Sequence, residues 1–195
     1  MKSFWIGLIL GILILPIGFY AYVKTGMIPV ATSDPPMPFE KTLANDGLHA
    51  RLKKEAPQKN LSAFTEADLV GGAQVYQTNC AFCHGLPGQA SSGASRGMFP
   101  GPPQLFTADG SVTDDPVGVT YWKVKNGIRL TGMPGFHATL GEQQMWQVSA
   151  LVASADKLTP AELDALRPGA AAATAAPAPS ATPAHAPGAT APASH

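Results

Sequence analysis

Residues 79–85 read NCAFCHG and hold the only two cysteines of a 195-residue chain. A histidine follows the second cysteine directly. Three chemistries use a Cys-x-x-Cys pair: a dithiol redox switch, half of a zinc site, and covalent attachment of haem. Thiols at i and i+3 project to one side of a turn. There each can add to one vinyl group of a porphyrin, while the next residue offers its imidazole to the iron. In that reading Cys80 and Cys83 form the thioethers and His84 the axial bond. Zinc needs four ligands, and beyond the two thiols His137 lies in a distant loop. A dithiol switch expects its pair at the start of a helix, where the dipole lowers a thiol pKa. A structural disulfide, or a chance recurrence of so short a motif, completes the alternatives.

The sequence just before the motif, TEADLVGGAQVYQTNC, predicts an amphipathic helix that ends at the cysteines. Thr65 is its N-cap, with Asp68 as capping-box partner. Leu69, Ala73, Tyr76 or Gln77, and Cys80 follow a 3.6-residue spacing. No βαβ pattern surrounds the pair, which weakens the dithiol reading. Downstream, residues 85–112 are too rich in Gly, Pro and Ser for regular structure. A second helix is expected from DDPVGVTYWKVKNG, with Asp115 as N-cap, Pro116 at N1 and Gly127 just past the end. TGMPGFHA is loop. A third helix is expected over about 140–154, capped by Thr139 with Glu142, its inward stripe including Met145, Trp146 and Ser149. TPAELDALRPG gives a short fourth helix with Thr159 as N-cap.

The ends of the chain differ in kind. Residues 4–23 carry no charge. At about 1.5 Å per residue they span the roughly 30 Å of a bilayer core. Lys2 and Lys24 flank them. The bulky exit around Tyr20–Tyr22 favours an uncleaved anchor over a removed signal. Residues 24–64 read as a proline-rich, extended tether, with LHARLKKEA as a short polar surface helix. From Pro168 to His195 the chain is Ala- and Pro-rich without a charged side chain, a composition that predicts disorder.

Net charge is +0 and only 13% of residues are charged, which gives no footprint for nucleic acid. Twenty glycines and nineteen prolines imply long loops. Three or four short helices with few large apolar residues make a marginal domain, which a large flat cofactor would complete.

Over about residues 65–158 the chain resembles the membrane-anchored class I c-type cytochromes. The likeness rests on GAQVYQTNCAFCHG, FPGPPQL, and YWKVKNGIRLTGMPGF followed by MWQVSALV. It implies an all-α class I cytochrome c fold: three to four helices around one covalently bound haem c, with an N-terminal transmembrane helix. In this family the first and last helices cross next to the haem, and a methionine in the loop before the last helix is the sixth ligand. Met133 matches that position, 49 residues after His84 (133 − 84). Met98 and His137 are its rivals. Tyr76, Phe99, Pro103 and Trp146 are expected to pack on the haem, as are Phe82, Leu105, Trp122, Phe136 and Met145. Pro103 resembles the family position that backs the proximal histidine. Lys123, Lys125 and Arg129 flank the Met133 loop, as a guide for an acidic partner or simply as a solvated face.

A doubly ligated iron leaves no open position, so the resemblance implies a one-electron carrier and not an enzyme. No nucleophile–base pair and no phosphate-binding loop argues otherwise. Family analogy places haem attachment outside the bacterial cytoplasmic membrane. The expected layout is then a cytoplasmic residue 1–3, an anchor over 4–23, a periplasmic tether over 24–64, a cytochrome domain over 65–167 and a tail over 168–195. Expected partners are membrane redox complexes, with a quinol-oxidising donor and a terminal oxidase acceptor. A haem-based sensor with a displaceable sixth ligand, and an electron-accepting dehydrogenase subunit, are the competing readings.

Overall fold

The computed structural model describes residues 2–89, 91–107 and 113–169. Eight helices and one 3-10 turn are present among them, and no strand. The helices are α1 (Lys2–Lys24), α2 (Glu40–Glu55), α3 (Glu66–Asn79), α4 (Ala81–His84), α5 (Gly93–Arg96), α6 (Val117–Asn126), α7 (Glu142–Ala153) and α8 (Pro160–Ala165), with the 3-10 turn at Leu61–Ala63. The sequence-based loop 85–112 contains α5, and its residues 90 and 108–112 lie outside the described residues. So does the Ala/Pro-rich tail beyond Gly169.

Helix α1 contains a run, Phe4–Lys24, long and apolar enough to cross a membrane, with a mean hydropathy of 2.3. Pro16 lies inside it, a position membrane helices tolerate.

Helix α3 starts as its sequence dictates. The Thr65 hydroxyl accepts the Asp68 N–H at 3.3 Å, and the Asp68 carboxylate accepts the Thr65 N–H at 3.0 Å. Both donors belong to the unpaired first turn of a helix. Helix α8 repeats this device: Thr159 Oγ1 accepts from Glu162 N–H, and Glu162 accepts from Thr159 N–H. Two expected caps shift. Pro116 has an extended ψ of 140° and precedes α6, so Asp115 does not cap it. Asp115 instead pairs with Lys123 Nζ at 2.8 Å. Helix α7 begins after Gly141, whose N–H is accepted by Gln144 Oε1 at 2.9 Å, while the Thr139 hydroxyl bonds to the Phe136 carbonyl. Gln144 outcompetes Glu142 because it stands three residues after the true cap.

The core forms where α7 packs on α3 and α6. Ala73, Tyr76, Tyr121, Val148 and Leu151 are buried in one cluster. The α3–α7 crossing is close because Gly72 has no side chain: a Cβ there would run into the Gln147 carbonyl. Gln147 adds a bond to Asp68 at 3.1 Å. Helix α8 closes against α3 through Leu166, which is buried, and through Gln77, which donates to the Ala165 and Arg167 carbonyls.

Helix α2 departs from expectation. It is a helix, as read, but 16 residues long, starting well before LHARLKKEA. Leu52 on it is only 6% exposed. Leu48 and Leu52 are spaced one helical turn apart and share a face, a pairing too brief to stand out in a segment dominated by charge.

Candidate functional site

Beneath the α3–α7 crossing lies an apolar cavity of about 280 Å³. Helix α3 delivers Cys80 to it as the C-cap residue that follows Asn79, and the single turn of α4 delivers Cys83 and His84. The turn is continuous with the helix: the N–H groups of Cys83 and His84 both bond back to the Cys80 carbonyl. The three residues of the motif therefore open on one space, as their spacing requires.

The motif is held from behind. The buried Tyr76 hydroxyl donates to the Gly85 carbonyl at 2.7 Å. Burial, and secondarily the neighbouring Cys80, holds its phenol far above the ordinary range, so it stays a donor. His84 Nδ1 lies 2.8 Å from the Pro103 carbonyl. A carbonyl only accepts, so Nδ1 carries the proton and Nε2 keeps its lone pair. Burial lowers the His84 pKa, with the Pro103 bond opposing, and so favours the neutral ring.

Met133 reaches the cavity from the loop between α6 and α7. That loop is tied down at both ends. Ile128 N–H bonds to the Met133 carbonyl at 3.2 Å, Thr131 Oγ1 accepts the Met133 N–H at 3.1 Å, and Phe136 N–H bonds to Val124 at 2.9 Å. Gly127 makes the close approach possible. Its φ is +68°, and a Cβ there would sit 2.5 Å from the Gly135 nitrogen.

The cavity also gathers Leu105, Phe136, Val148 and Val152, together with Tyr76 and Pro103. Met98 lines it too, whereas His137 does not; its Nδ1 lies 3.1 Å from the Lys125 carbonyl. Several expected packing residues lie elsewhere. Trp146 stacks on Tyr121 at 3.9 Å between centroids and faces Phe64 across 6.1 Å. It occupies the far face of α7, one residue round from the buried Met145, and the helical stripe read from sequence was too broad to separate the two faces. Met145 is core and does not line the cavity. Phe99 is 43% exposed and Phe82 64% exposed. Trp122 donates to Glu55 at 3.2 Å. Lys123, paired to Asp115, lines the cavity itself, and Lys125 lies over the Tyr121 ring. Leu48 of α2 is a cavity residue that periodicity around the motif did not include.

Of the competing cysteine chemistries, the donor set fits haem. Among the described residues no group of three or more His, Cys, Asp or Glu side chains is placed to hold a metal ion, so the four ligands a zinc site needs are not assembled there. The cysteines form no disulfide. Burial, with Cys83 adding, pushes the Cys80 thiol up to about 12, the opposite of the acidic thiol a dithiol switch needs. Two thiols, an imidazole with its Nε2 free and a thioether converge instead on an apolar space.

The family model for cytochrome c oxidase, cbb3-type, subunit III matches residues 67–152. These residues form a class I c-type cytochrome domain. The matched span starts within α3 and ends within α7, so it contains the motif, the Met133 loop and the helix crossing, but not α1, α2 or α8. No solved structure matches the chain. A c-type cytochrome domain carries covalently bound haem c, and Cys80 and Cys83 are positioned for its Cys-x-x-Cys-His attachment. Electron transfer is the chemistry of such a domain.

Proposed function

We propose that this protein is a membrane-tethered monohaem electron carrier, with His84 and Met133 as the axial ligands of the iron. The observation that supports it is the convergence of Cys80, Cys83, His84 and Met133 on one apolar cavity. Haem c, when bound, supplies an iron that takes up and releases one electron. The chain's residues set the conditions for that exchange. Cys80 and Cys83 would hold the ring by thioether bonds. His84, oriented through the Pro103 carbonyl, offers Nε2. Met133 offers a soft thioether, which holds iron(II) better than iron(III) and raises the reduction potential. Tyr76 and the apolar wall exclude water, and the tied loop limits reorganisation between oxidation states. Tyr76, Pro103, Leu105 and Phe136 are the haem-packing residues this reading keeps from the sequence.

In this reading α1 is an uncleaved anchor, and residue 24 onward is periplasmic. Residues 24–64 link anchor to domain, the cytochrome domain runs over 65–167, and 168–195 form a tail. The family match supports redox partners within a membrane respiratory complex; in this reading the donor is a quinol-oxidising complex and the acceptor a terminal oxidase. Confinement to the same membrane raises the effective concentration of carrier at those partners.

The test is an absorption spectrum of the purified full-length holoprotein beside Met133→Ala, Met98→Ala and His84→Ala. The expected result is loss of the sulfur-to-iron band in Met133→Ala alone among the methionine variants, with low-spin character lost in His84→Ala. Retention of the native spectrum by Met133→Ala would overturn the ligand assignment. A high-spin wild type that binds carbon monoxide readily would favour a ligand-binding sensor.

A further inference from the structure

The cytochrome family match begins at residue 67, yet part of the cofactor cavity comes from before it. Leu48, on α2, is one of the cavity's wall residues. A series of contacts holds α2 and the chain after it against the domain. Leu52, one turn beyond Leu48, is buried. Glu55 at the helix end accepts from Trp122 Nε1 of α6 at 3.2 Å, and a salt bridge to Arg51 Nε at 2.7 Å steadies the carboxylate. Pro57 lies so close to α6 that a Cβ on Gly118 would collide with its carbonyl. Lys59 sits over the rings of Phe64 and Trp146 at 4.6 and 4.7 Å. The free side of α2 is different: Leu43 is 76% exposed. The helix is thus fixed by one face, and that face closes on the cofactor space.

We infer that α2 is a built-in wall of the haem site, and that Leu48 is a positioning residue that keeps water from the haem and so raises its reduction potential. The inference rests on haem occupying the cavity. Iron(III) carries one more positive charge than iron(II). An apolar wall disfavours the more charged form, and water or a polar group at that wall relieves the penalty. The wall comes from the segment that joins the domain to the candidate membrane span. Anything that pulls α2 away would therefore also shift the potential, so the joining segment tunes the site as well as holding it.

The experiment is a redox titration of the full-length holoprotein, wild type against Leu48→Gln, with Leu43→Gln as the exposed control. Gln keeps helix propensity and approximate volume while bringing a polar group to the wall. Leu48→Gln is expected to shift the oxidised-to-reduced equilibrium about tenfold toward the oxidised form, about 59 mV for one electron, with the low-spin spectrum kept. Leu43→Gln is expected to match wild type. Equal potentials in all three would overturn the inference, as would an equal shift at both positions. Wild type lacking covalent haem by mass would instead overturn the haem reading beneath it. If Leu48→Gln loses its haem, amide hydrogen exchange on the wild-type holoprotein decides. Protection over Leu48–Glu55 comparable to that of α6 supports the wall, and free-helix exchange there overturns it.

Discussion

His84 Nδ1 and the Pro103 carbonyl oxygen stand 2.8 Å apart, nineteen residues separated in sequence. This one bond fixes both the tautomer and the plane of the ring, because the acceptor is a backbone atom that cannot itself donate. In the holoprotein labelled with ¹⁵N at histidine, the Nδ1–H of His84 is expected to exchange slowly with solvent. His137, exposed, outside the cavity and with a longer 3.1 Å approach to the Lys125 carbonyl, is expected to exchange faster. A rapidly exchanging His84 Nδ1–H would show that the Pro103 bond does not hold the ring.

Gly127 controls the Met133 loop. Replacing it by Ala puts a Cβ into the Gly135 nitrogen and the Pro134 and Met133 backbone, at a φ of +68°. With ψ at −177°, a combination essentially reserved to glycine, the backbone strain alone is about 1–3 kcal/mol, and the collision adds to it. Gly127→Ala is expected to lower the melting temperature and to weaken the sulfur-to-iron band together. A lowered melting temperature with the band intact would separate the loop's stability from its role at the iron.

Tyr76→Phe removes the donor to Gly85 and leaves a buried carbonyl without its partner. A cost of about 1–3 kcal/mol is expected in denaturant unfolding. Because Gly85 directly follows His84, haem incorporation should fall more than for a core change of equal cost away from the motif. Val75→Ala on the same helix provides that comparison.

Asp68 accepts the Thr65 N–H and hydroxyl, and Gln147 adds a third bond. These hold its carboxyl below its ordinary value of 3.8, the Thr65 backbone bond foremost. The group's contribution is fully present above the unfolded value and is lost as pH falls through the lower folded value. Acid unfolding below about pH 4 should therefore flatten in Asp68→Asn relative to wild type. Parallel acid limbs would mean that Asp68 carries no pH-linked stability.

How much of this was legible beforehand depends on the distance over which each signal acts. Caps are local, and the Thr65–Asp68 and Thr159–Glu162 pairs stand as read. The α7 cap moved because Thr139 and Gly141 are both acceptable starts, and only the loop entering from Phe136 selects between them. Cys80, Cys83 and His84 meet at one cavity because their geometry is set within a single turn. The faces of α7 were harder. Met145 and Trp146 are adjacent, and periodicity gives a stripe without saying which neighbour fills which side. Trp146 went to Tyr121, where stacking at 3.9 Å satisfies its ring. Helix α2 was the largest omission. Its inward face is two leucines amid charges, and the contacts that seat the segment, Glu55 with Trp122 and Pro57 with Gly118, join residues more than sixty apart in sequence. No local pattern reports a contact of that range.

The clamp of Pro57 on Gly118 and of Lys59 on Trp146 sets a radius of action. With α2 seated, the slack chain runs only from Thr25 to Phe39, fifteen residues. At about 3.3–3.6 Å each, they extend no further than about 54 Å. If α1 is the anchor proposed above, a carrier on so short a leash would patrol a thin shell above the lipid. It would then serve only docking faces that stand within that height, and lengthening the Thr25–Phe39 stretch would be the direct way to enlarge its territory.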